Sequence, residues 1–145
     1  MVNKIKFKIV TPERTVFEDE VDQATLPVSN GEVTILPNHR DYIASIKAGE
    51  IMLKKDGKDI LLATAGGFLE FATNSLVVLA DKAERAEEID LLRAEEARVR
   101  AEKLKDETIS MDEMEYAKIA ALVEKEAARV KVARKHRTKG GMHIN

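Results

Sequence analysis

Leu76-Val77-Val78-Leu79-Ala80-Asp81-Lys82-Ala83-Glu84-Arg85-Ala86-Glu87-Glu88-Ile89-Asp90-Leu91-Leu92-Arg93-Ala94 carries a change of period. Up to about Asp81, apolar residues recur mostly at every second position; from about Ala86 they recur at helical spacing. Side chains alternate faces along a strand but return to one face every three or four residues on a helix, so the two parts of the chain need different secondary structure. The alternation is plainest in Lys4-Ile5-Lys6-Phe7-Lys8-Ile9, which suits a strand with one wet face. Between Ala86 and Lys135, Gly and Pro are absent and Ala, Glu, Lys and Arg dominate. The expected fold is α+β: an N-terminal antiparallel β-sandwich over 1–83, followed by a C-terminal antiparallel two-helix hairpin with a basic tail over 84–145.

Working back toward the N-terminus, turn chemistry separates short strand patterns. Leu76-Val77-Val78-Leu79 reads as a strand buried on both faces, and Phe68 to Phe71 precedes it, behind Gly66-Gly67. Lys55-Asp56-Gly57-Lys58 between two apolar runs is the strongest hairpin signal. Thr11-Pro12-Glu13-Arg14 is a turn, Pro27 to Gly31 a loop, and Pro37-Asn38 ends the strand of Val33 and Ile35. This spacing predicts roughly eight to ten strands.

Working forward, a first helix is expected from about Ala86 to Lys105, with Leu91, Ala94, Ala97 or Arg98, Ala101 and Leu104 on one stripe. Asp106 to Ile109 is a short connection. Ser110-Met111-Asp112-Glu113 fits a capping box opening a second helix, whose stripe is Met114, Ala117, Ala121, Ala128 and Val132. These stripes are rich in alanine. They bury little apolar area, at ~25 cal/mol per Å², so charge pairs such as Glu96–Arg100 and Glu126–Arg129 are expected to help. The hairpin is therefore expected to be marginally stable alone and able to leave the sandwich.

The 145 residues carry a net charge of −2, so nothing global steers the chain toward nucleic acid or anionic lipid. With no Cys, a disulfide framework and a thiolate metal site are excluded. No apolar stretch reaches the ~20 residues of a membrane span, and Met1-Val2-Asn3-Lys4 runs directly into a strand pattern. The expectation is a soluble protein of a reducing compartment that meets a membrane only through partners. No phosphate-cradling GxxxxGK[ST] loop and no nucleophile motif is present, so no catalytic residue is assigned. His136 and His143 lack partner ligands, so no metal site is expected.

Three segments bear a family likeness. Gly31-Glu32-Val33-Thr34-Ile35-Leu36-Pro37-Asn38-His39 resembles a GELGILPGH loop. Gly66-Gly67-Phe68-Leu69-Glu70 followed by Val77-Val78-Leu79-Ala80-Asp81 resembles a GGFLEV…VTVLAD segment, and Ile89-Asp90-Leu91-Leu92-Arg93-Ala94 an IDxxRA motif. In this order they resemble the epsilon subunits of F-type, proton-translocating ATP synthases, over Lys4 to Ala133. The resemblance implies a non-catalytic, peripheral subunit of the central stalk. Its sandwich would bind the gamma subunit and the c-ring, and would couple proton flow to ATP synthesis on the alpha and beta subunits. Its hairpin would fold on the sandwich or extend into the catalytic head and inhibit ATP hydrolysis. The location implied is the cytoplasmic face of a bacterial plasma membrane, with the stromal side of a thylakoid as the alternative. A free-standing nucleotide-sensing adaptor is the alternative.

Site residues follow from residues and resemblance together. Arg93 and Arg100 share a helix face, and Lys125 and Arg129 are spaced i, i+4; a folded hairpin could gather them around one polyanion. By resemblance, Glu84, Ile89 and Asp90 would face the adenosine of an ATP site that also includes Ala94, with Arg93, Arg100 and Arg129 nearer the phosphates and Lys125 where strong binders carry Arg. No cofactor is required, and ATP is a regulatory ligand in this reading. The ordinary alternative is a salt-bridged, solvated helix surface. Glu32 and His39 bracket one strand and are expected at the same end of the sandwich, facing the c-ring. Arg134, Lys135 and Arg137 form a basic cluster that would meet acidic loops of the beta subunits, or simply complement the helix dipole.

Overall fold

The computed structural model describes residues 3–107 and 112–142, with side chains through Thr138. Ten strands occur among them: β1 Ile5–Val10, β2 Thr15–Val21, β3 Gln23–Val28, β4 Gly31–Ile35, β5 Tyr42–Ile46, β6 Gly49–Lys55, β7 Lys58–Thr64, β8 Gly67–Ala72, β9 Ser75–Ala80 and β10 Ala83–Arg85. A 3-10 turn at Ala86–Glu88 leads to helices α1, Leu91–Glu107, and α2, Glu113–Met142. The strands form one hydrogen-bonded path, β10-β7-β6-β3-β5-β8-β9-β1-β2, with β4 paired to β3. The path folds over at β3, which pairs β6 along Gln23–Thr25 and touches β5 at Val28↔Ile46. This is the expected sandwich followed by a helical hairpin.

The alternation in β1 works as it reads: Ile5, Phe7 and Ile9 are buried, while Lys6 and Lys8 face solvent. Asp56 and Gly57 both take positive φ, 51° and 79°, which gives the mirror-image turn that suits a two-residue hairpin. Thr73 and Asn74 make a similar turn, at 52° and 58°, without any glycine to announce it.

Five expectations are corrected. The sandwich is not wholly antiparallel, since β1 runs parallel to β9 and closes one layer with a strand distant in sequence. Pro27 and Val28 belong to β3 rather than to a loop; Pro27 sits opposite Glu32, and its carbonyl accepts from Lys47 N at 3.1 Å. β9 is buried on one face only, because Leu79 lies on the outer surface opposite the exposed Phe68. α1 starts five residues after Ala86: β10 still pairs with β7 through Arg85↔Leu62, so the chain cannot coil until it has left that edge. β10 thereby straddles the expected 83/84 division. α2 also runs on through Gly140 and Gly141 to Met142, past the expected limit at Lys135, since extending a formed helix adds a backbone bond per residue.

The capping box read at Ser110-Met111 lies outside the described residues. Asp112 caps α2, its Oδ1 accepting from Met114 N at 3.1 Å and its carbonyl from Tyr116 N at 3.0 Å. On α1, the pair formed among the described residues is Arg98–Glu102, at 3.0 Å, rather than Glu96–Arg100.

Candidate functional site

The sandwich interior is a cluster drawn from Ile5 to Ala83 and contains no helix residue. A second, separate cluster joins the arm to the outer face of β7. Leu61 and Ala63 meet Ala86 and Ile89 from the connecting segment, Ala94 from α1, and Val130, Val132 and Ala133 from α2. β7 is thus covered on both faces, Leu62 inward and its neighbours under the arm. Only the later half of α2 seats here. Of the expected stripe, Ala128 and Val132 are buried, whereas Met114, Ala117 and Ala121 are exposed. On α1, Ala94 and Ala101 are buried and Leu104 is not. Beyond the seat, Lys105 Nζ lies 5.8 Å from the Tyr116 ring centroid, a cation–π contact between the two helices.

The candidate nucleotide residues divide between two places. Glu84, Lys125 and Arg129 line one cavity of about 410 Å³, together with Arg14, Thr64 and Lys82. Arg129 is engaged there: Nε donates to Glu84 Oε2 at 2.7 Å and Nη1 to Glu126 Oε2 at 2.7 Å. Burial opposes the Arg129 charge, but its bonds to Glu126 and Glu84 outweigh that and hold its pKa above the usual value. Glu126 is the most buried carboxylate in the network, its side chain 6% exposed, and Lys125 Nζ approaches it at 3.5 Å. Arg14 on the cavity rim pairs with Glu88 at 2.5 Å.

Arg93 and Arg100 do not line this cavity. Arg93 has a side chain 84% exposed and approaches Asp90 at 3.8 Å, while Arg100 borders a separate groove with Leu92, Val99 and Arg134. The other motif residues build the joint. Asp90 caps α1, accepting from Arg93 N at 3.2 Å, and its carbonyl takes the first helical bond from Ala94 N. Ile89 and Ala94 are buried in the joint cluster.

Glu32 and His39 lie at opposite ends of β4, not together. Glu32 pairs across from Pro27 beside the Ser29-Asn30 turn, whereas His39 follows the far end of the strand. There the His39 ring packs edge-on against Phe71, centroids 5.7 Å apart, and against Tyr42 at 6.0 Å. Of the basic cluster, Arg134 binds Glu95 at 2.6 Å, Lys135 binds Glu50 on β6 at 2.7 Å, and Arg137 is exposed. The reading of the residues missed Glu50, Glu95 and Arg14. Each is an ordinary surface charge by sequence, and only chain-distant neighbours single it out.

The fold defines a class: a β-sandwich that carries a docked two-helix arm outside its own core. A profile described as ATP synthase, Delta/Epsilon chain, beta-sandwich domain matches residues 4–86. The ATP synthase epsilon chain of Dehalococcoides mccartyi is 44% identical over 135 residues, covering 92% of this chain and 95% of that one. That of Herpetosiphon aurantiacus is 38% identical over 135 residues, covering 93% and 98%. Among solved structures, a chain of the Euglena gracilis mitochondrial ATP synthase, OSCP/F1/c-ring in rotational state 1, has the same fold at a TM-score of 0.76 and 19% identity, covering 92% of this chain and 82% of that one. The chain belongs to the ATP synthase epsilon-chain family.

Proposed function

We propose that this chain is a non-catalytic rotor part whose sandwich is clamped by the gamma subunit and the c-ring, at the cytoplasmic face of a bacterial plasma membrane. Turning with them, it couples proton flow to ATP synthesis on the alpha and beta subunits. Its arm, residues 84–145 less the β10 strand, moves between the sandwich and the catalytic head, where it inhibits ATP hydrolysis. The observation that carries this reading is the separation of the two apolar clusters. The sandwich core is complete without any arm residue, so the arm can leave without opening it. The seat consists largely of alanines and valines, whose small buried area makes departure inexpensive on the scale of folding.

ATP enters this proposal as a ligand of the folded arm at the cavity holding Glu84, Lys125 and Arg129. It shifts the arm only to the extent that it binds the folded state better than the extended one. Glu84 and Glu126 compete with a triphosphate for Arg129, and Lys125 offers charge without the bidentate fork of an arginine. Removing residues after Glu88 is expected to raise ATP hydrolysis by the assembled complex; unchanged hydrolysis would remove the inhibitory role. Calorimetric titration of the full chain with ATP is expected to give heat that Arg129→Ala reduces. No heat at millimolar ATP would strike ATP from the reading and leave the mechanical role standing.

A further inference from the structure

Two buried side-chain atoms among the described residues have no protein hydrogen-bond partner, Glu50 Oε2 and Arg98 Nε. Glu50 lies at a contact between sandwich and arm, and Arg98 at a contact between the two helices of the arm. Glu50 projects from β6 and is 11% exposed; its other oxygen accepts from Lys135 Nζ on α2 at 2.7 Å. Arg98 projects from α1 into a groove shared with Lys131, Arg134 and Lys135 of α2, and its Nη1 is held by Glu102. Arg134 closes the same groove by giving Nε and Nη2 to Glu95 Oε1 at 3.1 and 2.6 Å. The carboxylates facing these α2 cations therefore come from β6 and α1, elements on which the later half of α2 rests.

We propose that Glu50 on the sandwich and Glu95 on α1 are a resident acidic counter-surface for the later half of α2. They occupy Lys135 and Arg134 in the folded state, so an acidic surface of another subunit can engage those cations only after both pairs break. An ammonium or guanidinium held at 2.6–2.7 Å from one carboxylate is not available to a second surface, so the folded placement of α2 excludes that engagement by charge as well as by space. The unpartnered Glu50 Oε2 and Arg98 Nε weaken the hold, because a buried polar atom without a partner disfavours the state that buries it. Arg129, bound by Glu84 on β10, adds a second pair between arm and sandwich, remote from the basic cluster. The consequence for inhibition rests on the inhibitory role proposed above; the hold itself does not.

Amide hydrogen exchange on the full-length chain tests the hold. Glu50→Gln and Glu95→Gln are each expected to speed exchange in residues 126–138 by about fivefold, the effect of losing one modest ion pair, with β5 and β8 unchanged as the folding control. The exchanged pair Glu50→Lys with Lys135→Glu is expected to restore protection. Unchanged exchange in the single variants, or failure of the exchanged pair to restore it, overturns the proposal. In the assembled complex, Glu50→Gln is expected to deepen inhibition of ATP hydrolysis and the exchanged pair to relieve it. If truncation after Glu88 raises hydrolysis but Glu50→Gln loosens the arm without deepening inhibition, the counter-surface is overturned while the inhibitory arm survives. If truncation has no effect, the inhibitory reading falls, and exchange alone decides the hold.

Discussion

Gly67 shows how one residue fixes a crossing. Its φ is 150°, and a Cβ built there would stand 2.1 Å from the Leu79 carbonyl oxygen across the β8–β9 pair. Gly66-Gly67 is thus a close strand approach and not a phosphate cradle. Gly67→Ala is expected to destabilise the sandwich by about 3 kcal/mol or more, through backbone displacement at a strained position, read as a lowered urea midpoint. A second feature sits at the opposite end of β8's layer and along the β6–β7 turn, where Lys4 bridges Asp22 and Asp56 and Lys55 pairs with Asp19. The bond from Lys55 holds the Asp19 carboxyl below its ordinary pKa, and the bond from Lys4 does the same for Asp56. The folded state then takes up these protons less readily than the unfolded chain. The stabilisation is present above the unfolded value and is lost as pH falls through the folded one. Asp56→Asn should flatten the acid limb of the urea midpoint between about pH 5 and pH 2; curves parallel to wild type would show that the bridge contributes nothing there.

The two long helices differ along their own lengths. Residues 126–133 of α2 supply the seat, while Met114, Tyr116 and Leu122 remain exposed. Exchange in α2 should therefore rise from its later half toward its start, with both halves faster than β5 and β8. Val132 has no exposed surface in the seat. Val132→Ala removes two methylenes, worth about 1.6 kcal/mol at ~0.8 each, from the docked arm. The expected result is faster exchange over 126–138 at an unchanged urea midpoint for the sandwich. A fall in that midpoint equal to the loss of docking would mean that arm and sandwich unfold as one unit. The same elements show what an isolated stretch can convey. Leu76 to Leu79 and Ile60 to Ala63 are both continuous apolar runs, and the one covered on both faces is the second. Its outer cover comes from residues about 25 to 70 positions later, so no local pattern could have told them apart.

For the molecule as a whole, the place to cut follows from β10 and the segment after it. A chain ending at Lys82 loses the Ala83–Arg85 strand that covers the β7 edge, while one ending at Glu88 keeps it, with the Arg14–Glu88 and Arg85–Glu88 pairs. The longer chain is expected to unfold cooperatively with a midpoint close to that of the full protein, and the shorter one at clearly lower urea. Equal midpoints would deny β10 a structural part. The longer chain also uncovers Leu61 and Ala63, so it should bind a hydrophobic dye more strongly than the full chain does.

Three short motifs carried the family resemblance; periodicity and turn chemistry were sufficient for the strands, the helical hairpin and the change between them near Asp81. All of these depend on residues a few positions apart, whose faces a regular backbone fixes in advance. The parallel β1–β9 pair, the seat on β7 and the placement of charges depended on the fold. Arg129 is caught between Glu84 and Glu126, Lys135 is held by Glu50, and Glu32 and His39 are driven to opposite ends of a strand. Several of these partners lie dozens of residues apart, and a charge at the surface has no periodic signature. Where it points and what it meets are settled only when chain closure brings distant segments together.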